Sequence, residues 1–494
     1  MENPITFWND VAMECNRFDH TGKMEARNQR GPTLSSRALA IVHIAIHDAY
    51  VLTKRAVTPA SSIDDVYLPP AMRPVYNQPV TGKPSTVSSA VSAAASVILL
   101  TLYPALKSLI ETKFAAICAI NGDDEPGHRF GQELAAKVMA LRQNDGSEID
   151  TPAYMDSAAY GRHREDPLNR GQPFLGSKYG FVRMFACNTW HELNPYPEIG
   201  SPAYLVDHIE VRHKGATPNA NNNTRSADET LQGIYWAYDG AMDIGTPPRL
   251  YNQILRKVAV AKNLDQDELN RLLLLANLAM ADAGIHAWFY KYHFDLWRPV
   301  VGIRELDHSM GPASTMSDRD LDANCDPFWR PLGAPLTNMK DASVRTFTPP
   351  FPAYPSGHAT FGAAAFQVAR LFLKKINKAT INADNTDNIA FDFVSDELNG
   401  IALDPDDTVR TRHLRKFNGL HEAIYENSIS RIFLGVHWRF DGTSAHNAKD
   451  ALAETDNIGG VPLGLAIAKD IVGQTNINPS PTSAKPPAFE TTPD

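Results

Sequence analysis

Three separated segments carry residue types that could work together: Lys291 through Arg298-Pro299, Pro355-Ser356-Gly357-His358, and Ser430-Arg431 followed by His437 and Asp441. Together they offer three strong cations, two imidazoles and a Gly-containing helix start, with no thiol and little carboxylate. That inventory suits a tetrahedral or trigonal-bipyramidal oxyanion such as phosphate or vanadate better than a bare metal cation. An unpaired first turn of helix presents N–H donors in a positive end potential, which is how helix starts hold oxyanions.

Each segment reads in helical terms. Lys291 and Arg298 stand seven residues apart, about two turns or roughly 10 Å of rise on one helix, so both side chains are expected on one face. Pro299 should then stop that helix, because it lacks an N–H and restricts the residue before it. Trp288, Phe289, Phe294 and Trp297 flank the pair and set it in apolar surroundings. Ser356 is a candidate N-cap for the apolar run Ala359 to Phe372, Gly357 permits close approach of an anion, and His358 falls in the first turn. Arg431 belongs to a helix, Gly435 lets the chain turn, and His437 could coordinate a metal-oxo centre or attack phosphorus. Asp441 is a candidate to hold the other ring nitrogen and so fix the tautomer.

The elements that must position these groups are mostly helices. Helical patterning covers about 35–51, 86–119, 128–142, 228–237, 249–262, 266–296, 357–375 and 419–434, while about 145–228 is irregular and rich in Pro, Gly and Asn. An all-α architecture follows: two packed four-helix-bundle-like units with long irregular connections. The expected division is an N-terminal half, 1–225, and a C-terminal half, 226–474, that carries the site. A flexible Pro-rich tail is expected over 475–494.

At 494 residues the chain is too long for one simple core. Its 56 Asp plus Glu against 47 Lys plus Arg make it mildly acidic, which argues against a nucleic-acid partner and for small molecules met at a local basic site. Cys15, Cys118, Cys187 and Cys325 lack zinc-ligand spacing and are expected to be buried free thiols. The uncharged stretch Ser85 to Leu106 is interrupted by serines and Pro104, and reads as a buried bundle helix rather than a membrane span. No basic n-region and apolar h-region opens the chain, so it reads as soluble, without a standard secretory signal. His43 and His47 share a helix face but have Ile44 where a metalloprotease needs Glu, so they should pack rather than bind metal. Asp384 to Asp387 lacks the Gly and Glu of a calcium loop, and Asn222-Asn223-Thr224 is a lone sequon.

In order and residue type, the three segments match K-x6-RP, PSGH and SR-x5-H-x3-D, the signature of the type 2 phosphatidic acid phosphatase superfamily, which includes the vanadium-dependent haloperoxidases. The chain resembles the vanadium chloroperoxidase branch well beyond that signature. The likeness takes in Phe7-Trp8-Asn9, Ala45-Ile46-His47-Asp48-Ala49-Tyr50, Gly233 to Gly240, Gly245 to Arg249, Pro349 to Phe361 and Ile458 to Gly464.

The resemblance implies vanadate as cofactor, with no haem or flavin, and His437 as its covalent ligand. Lys291, Arg298, Ser356, Gly357 and Arg431 would bind its oxygens, and His358 would be the acid–base residue. Lys291 would polarise the peroxide. Asp239 would pair with Arg431, and Trp288 with Phe351 would form an aromatic wall beside the halide. Bromide-preferring relatives carry His at the Phe351 position, so Phe351 favours chloride. The implied reaction is oxidation of chloride or bromide by hydrogen peroxide to hypohalous acid, with or without an organic acceptor; related fungal enzymes act outside the cell. The competing expectation is phosphomonoester hydrolysis with His437 as nucleophile, and a third is a non-catalytic oxyanion binder.

Overall fold

The computed structural model describes residues 1–22, 26–57, 66–75, 83–149, 153–340 and 346–487. Five helices come first: α1 (Pro4–Asp19), α2 (Gly31–Val57), α3 (Pro84–Leu102), α4 (Lys107–Asn121) and α5 (Glu125–Arg142). A long, mostly irregular stretch follows, holding α6 (Pro202–Lys214) and α7 (Ala227–Tyr235). Then come α8 (Pro247–Ala261), α9 (Gln266–Phe294), the single turn α10 (Pro299–Gly302) and α11 (Gly357–Lys375). The chain continues through α12 (Leu420–Phe433), the short α13 (Ala448–Ala451) and α14 (Gly460–Gly473). The only strands among the described residues form two small antiparallel pairs, β1 (Ala334–Pro335) with β2 (Thr346–Phe347) and β3 (Phe391–Val394) with β4 (Leu414–Phe417). The fold is all-α, as expected.

Helix α9 is the axis of the molecule. It packs on α2 along one side and on α11 and α14 along the other, and is buried all round from Leu272 to Lys291. A helix apolar on every face has no exposed stripe, so it must lie in a core. Each of Leu272, Leu273, Leu274 and Leu275 adds about 2 kcal/mol of burial, far more than the few tenths that separate one helix propensity from another. Its start is fixed by a capping box, with the Asp265 side chain accepting the Glu268 N–H and the Glu268 side chain accepting that of Asp265. One continuous hydrophobic cluster reaches from Ile5 to Ala484. Among the described residues, two helices have the length and hydropathy to cross a membrane, α3 and α9, but 72% and 100% of their most apolar windows are buried against protein.

Several expectations change. The helix expected over 86–119 is two helices, because the chain breaks between Leu102 and Lys107 around Pro104. The helix α9 ends at Phe294, short of Arg298: Asp295 turns left-handed (φ 53°) and its N–H caps Lys291 O. Lys291 and Arg298 are therefore brought together by a turn and not by a shared helix face, and Arg298 is extended ahead of Pro299. Helices α1, α6 and α14 lie outside the segments read as helical. Of the stretch 475–494, Ile477 is buried and the Ser480 N–H donates to Phe185 O, while 488–494 lie outside the described residues.

The side chains set aside as non-ligands have structural partners. His43 bonds Leu39 O and the Asn9 amide, and His47 bonds the Asn270 amide. Asp48 accepts the N–H groups of Tyr67 and Leu68. Asp387 binds Arg370 and the start of α12. All four cysteines are free.

Candidate active site

The first turn of α11 faces the turn after α12. Ser356 caps α11 by accepting the Ala359 N–H at 3.4 Å, and its own N–H donates to Asp441 O at 2.7 Å, tying the two segments together. At Gly357 a Cβ would stand 3.2 Å from the Trp288 ring, so only glycine lets this ring cover the helix start without displacement. Gly435 adopts φ 70°, and a Cβ there would lie 2.4 Å from Gly215 O, so the turn that delivers His437 requires glycine on both counts.

His437 is oriented by Asp441. Its Nδ1 donates to Asp441 Oδ2 at 2.7 Å, and the same oxygen accepts the Trp438 N–H at 3.0 Å. That bond fixes the tautomer and leaves the Nε2 lone pair open to the site, where it accepts from Arg298 Nη1 at 2.9 Å. Arg298 is held further by Phe351 O at Nε and by Val436 O at Nη1. Its Nη2 has no partner, and neither has Arg431 Nε. Two unpaired buried guanidinium donors are what an oxyanion would satisfy.

Arg431 is clamped by Asp239 in a bidentate pair, Nη1 to Oδ2 at 3.0 Å and Nη2 to Oδ1 at 2.8 Å, with the two side chains 1% and 6% exposed. His358 donates Nε2–H to Ala237 O at 2.6 Å, and Asp239 Oδ1 lies 3.9 Å away. The remaining imidazole nitrogen, Nδ1, therefore carries the lone pair. Lys291 differs from the arginines, because its Nζ gives its protons to the carbonyls of Pro352, Ala353 and Pro355 at 2.9, 3.1 and 2.6 Å.

The field is strongly positive. Burial, and then the charges of Arg298 and Lys291, hold His437 well below its ordinary value; burial, and then Arg431, do the same to His358, so both are neutral. Burial pulls Arg298 down to about 9, still charged at neutral pH. Burial also pulls the Lys291 ammonium well down, against which its three carbonyls hold all three protons. Burial pushes Asp441 up to about 7 and raises Asp239.

A cavity of about 320 Å³ opens onto these groups and is lined at its base by Asp239, Gly357, His358, Arg431 and His437. Trp288, Phe351 and Phe361 form an aromatic wall, with Trp288 and Phe351 centroids 4.8 Å apart. Lys291, Arg298, Ser356 and Asp441 stand behind this lining. The wall and the cations meet, since Lys291 Nζ lies 5.2 Å and Arg298 Cζ 5.1 Å from the Phe351 ring centre.

The sequence reading missed the Ala237 carbonyl and the contribution of early segments. Arg27, Arg30 and Pro32 line the cavity, as do Asn169, Gln172 and Leu175. All but Pro32, at the start of α2, sit between helices, where no periodicity marks them. A separate group also went unread: Cys187, His191 and Asp470 hold ligand-type atoms within 4.8 Å of one another. Burial keeps Cys187 a thiol, and His191 Nε2 already bonds Asp470 Oδ2 at 3.2 Å.

Comparison with known proteins gives the family and the fold. The vanadium chloroperoxidase N-terminal domain matches residues 1–170, and the VCPO second helical-bundle domain matches 271–455. The solved structure of a bacterial vanadium-dependent iodoperoxidase superposes with TM-score 0.62 at 18% identity, covering 96% of this chain and 97% of that one. A holo-type bacterial vanadium-dependent chloroperoxidase gives 0.56 at 16% identity, over 92% and 96%. The fold is thus that of the helical vanadium haloperoxidases. In sequence, the vanadium chloroperoxidase of Curvularia inaequalis is 34% identical over 99% of this chain and 92% of its own length. The chain belongs to the vanadium chloroperoxidase family.

Proposed function

We propose that the protein is a vanadate-dependent haloperoxidase that oxidises chloride or bromide with hydrogen peroxide to hypohalous acid. The observation that carries this reading is a neutral imidazole nitrogen, His437 Nε2, set among buried cations that retain unpaired N–H groups. The donor set fits vanadate: one nitrogen ligand, with the rest positive charge and a helix start. His437 would ligate it, and Arg298, Arg431, Ser356 and Gly357 would hold its oxygens. Lys291 would exchange a carbonyl for an oxygen. When bound, vanadate would activate hydrogen peroxide as a Lewis acid toward attack by halide without leaving oxidation state V.

The chain's own residues do the rest. Fixed, buried guanidinium groups stabilise developing negative charge without reorganising. Asp239 prevents Arg431 from turning, and Asp441 keeps the His437 lone pair directed outward. His358 presents a lone pair at Nδ1 that can take a proton, and an anion bound beside it reverses the local field and raises its proton affinity. Trp288 and Phe351 give the halide an apolar approach that strips its hydration shell.

The arrangement of His437 and Asp441 also suits phosphoryl transfer, with Nε2 as nucleophile and His358 protonating the leaving group. Chlorination or bromination of monochlorodimedone by vanadate-loaded protein with peroxide and halide separates the two. Halogenation is expected; none, together with phosphomonoesterase turnover by the vanadate-free protein, reverses the order.

A further inference from the structure

Behind Arg298 lies a second, much smaller chamber, of about 10 Å³, walled by His163, Arg164, Gln172, Arg298, Thr348 and Pro350 among others. Six buried polar atoms of these residues are without partners: His163 Nδ1 and Nε2, Arg164 Nη1, Gln172 Oε1, Arg298 Nη2 and Thr348 Oγ1. Buried polar atoms in folded proteins are paired or bound to water, so six around one void mark a site rather than a packing defect.

We propose that this chamber holds one structural water that accepts from Arg298 Nη2 and Arg164 Nη1 and donates to Gln172 Oε1 and a His163 ring nitrogen, making His163 a positioning residue for the oxyanion-binding guanidinium. The volume admits a single water centre. Nη2 carries two N–H groups, enough for this water and for one oxygen of an oxyanion. Four bonds satisfy the water completely. A halide fits worse, because it is larger, cannot donate to Gln172 Oε1, and would face Glu165 and Asp166, which also line the chamber.

His163 is built to serve this role. Its backbone N–H donates to Asp295 O at 2.8 Å, its ring lies edge-on to Phe174 with centroids 5.5 Å apart, and Tyr154 flanks it at 6.1 Å. Burial, and then the charges of Arg298, Lys291 and Arg164, keep the ring neutral, so one nitrogen always offers a lone pair. Arg164 is fixed by Glu305 through its other nitrogen. Gln172 lines both this chamber and the large cavity, so the water has a route in.

The inference rests on the oxyanion reading of the site, and titration of the vanadate-free full chain with vanadate separates the two. His163→Phe keeps the aromatic contacts but removes the acceptor, and weakens vanadate binding about tenfold, the cost of a lost buried hydrogen bond, while His163→Gln stays within about threefold of wild type. Unchanged affinity in His163→Phe, or equal loss in both variants, overturns the positioning role. A wild type that binds no vanadate sinks the oxyanion reading instead. Should His163→Phe fail to fold, a crystal structure of the bromide-soaked wild type decides. One water with bonds to Arg298 and Arg164 supports the proposal, whereas an empty chamber or an anomalous bromide peak inside it overturns it.

Discussion

Arg298 Nη1 lies 2.9 Å from His437 Nε2 and donates to the lone pair that would ligate vanadium. The guanidinium therefore has to give up this bond when vanadate enters, exchanging one nitrogen acceptor for anionic oxygens. Arg298→Ala unblocks His437 but also removes a charge-assisted bond, and the second effect is the larger. Vanadate affinity is expected to fall by 10- to 100-fold, roughly 1.5–3 kcal/mol. A tighter-binding Arg298→Ala protein in the same titration would show that Arg298 only obstructs.

Arg431 and Asp239 stand or fall together. Removing the guanidinium strands a buried carboxylate, so Arg431→Ala should lose roughly 3–5 kcal/mol of stability as well as vanadate affinity. Asp239→Asn, which keeps shape and one acceptor, should be milder in both respects. Thermal melts and vanadate titrations of the two variants test the ordering, and equal behaviour would contradict it.

In the proposed reaction His358 would contribute to chemistry more than to binding. His358→Ala should bind vanadate within about tenfold of wild type yet halogenate 10²- to 10⁴-fold more slowly, the usual range for a lost general acid–base. Turnover equal to wild type would remove His358 from the reaction.

The ring of Phe351 touches Trp288 and lies under two cations. Phe351→His replaces an apolar face with a titratable one and should lower kcat/KM for chloride more than for bromide. A preserved chloride-to-bromide ratio would show that this wall does not select the halide.

Buried histidines set the pH response of stability. Burial lowers His20 and His286 to about 3, and His43 and His208 to about 4, from 6.5. For such groups the stabilisation is complete above 6.5 and is lost as the pH falls through the folded values. Burial raises Asp207 and Asp295 to about 6 from 3.8, which acts oppositely, adding stability as the pH falls through 6. Asp441, at about 7, belongs with these carboxyls, so four imidazoles against three carboxyls leave a net one proton taken up on unfolding near pH 5, or roughly 1.4 kcal/mol of stability lost per pH unit of acidification. Denaturant melts between pH 7 and 5 should show this decline, and a protein more stable at pH 5 would contradict it.

Much of the site was legible because its chemistry is written in residue types at fixed spacings. Ser356, Gly357 and His358 cap one helix, and His437 and Asp441 lie four apart around one turn, so local order alone brings each set together. The spacing of Lys291 and Arg298 misled, because seven residues fit two helical turns as well as a helix end and a left-handed turn at Asp295. The walls contributed by Arg27, Arg30 and Gln172 were illegible, since irregular segments place side chains through long-range packing that has no periodic trace. The same holds for His163, which meets Arg298 only through the fold.

The most direct measurement is a crystal structure of the full chain soaked with vanadate. The account predicts vanadium density bonded to His437 Nε2 and no other protein atom, with Arg298 Nη1 withdrawn from that nitrogen and Arg431 Nε on a vanadate oxygen. Vanadate bound away from His437, or a site that stays closed by the Arg298–His437 bond at saturating vanadate, would contradict it.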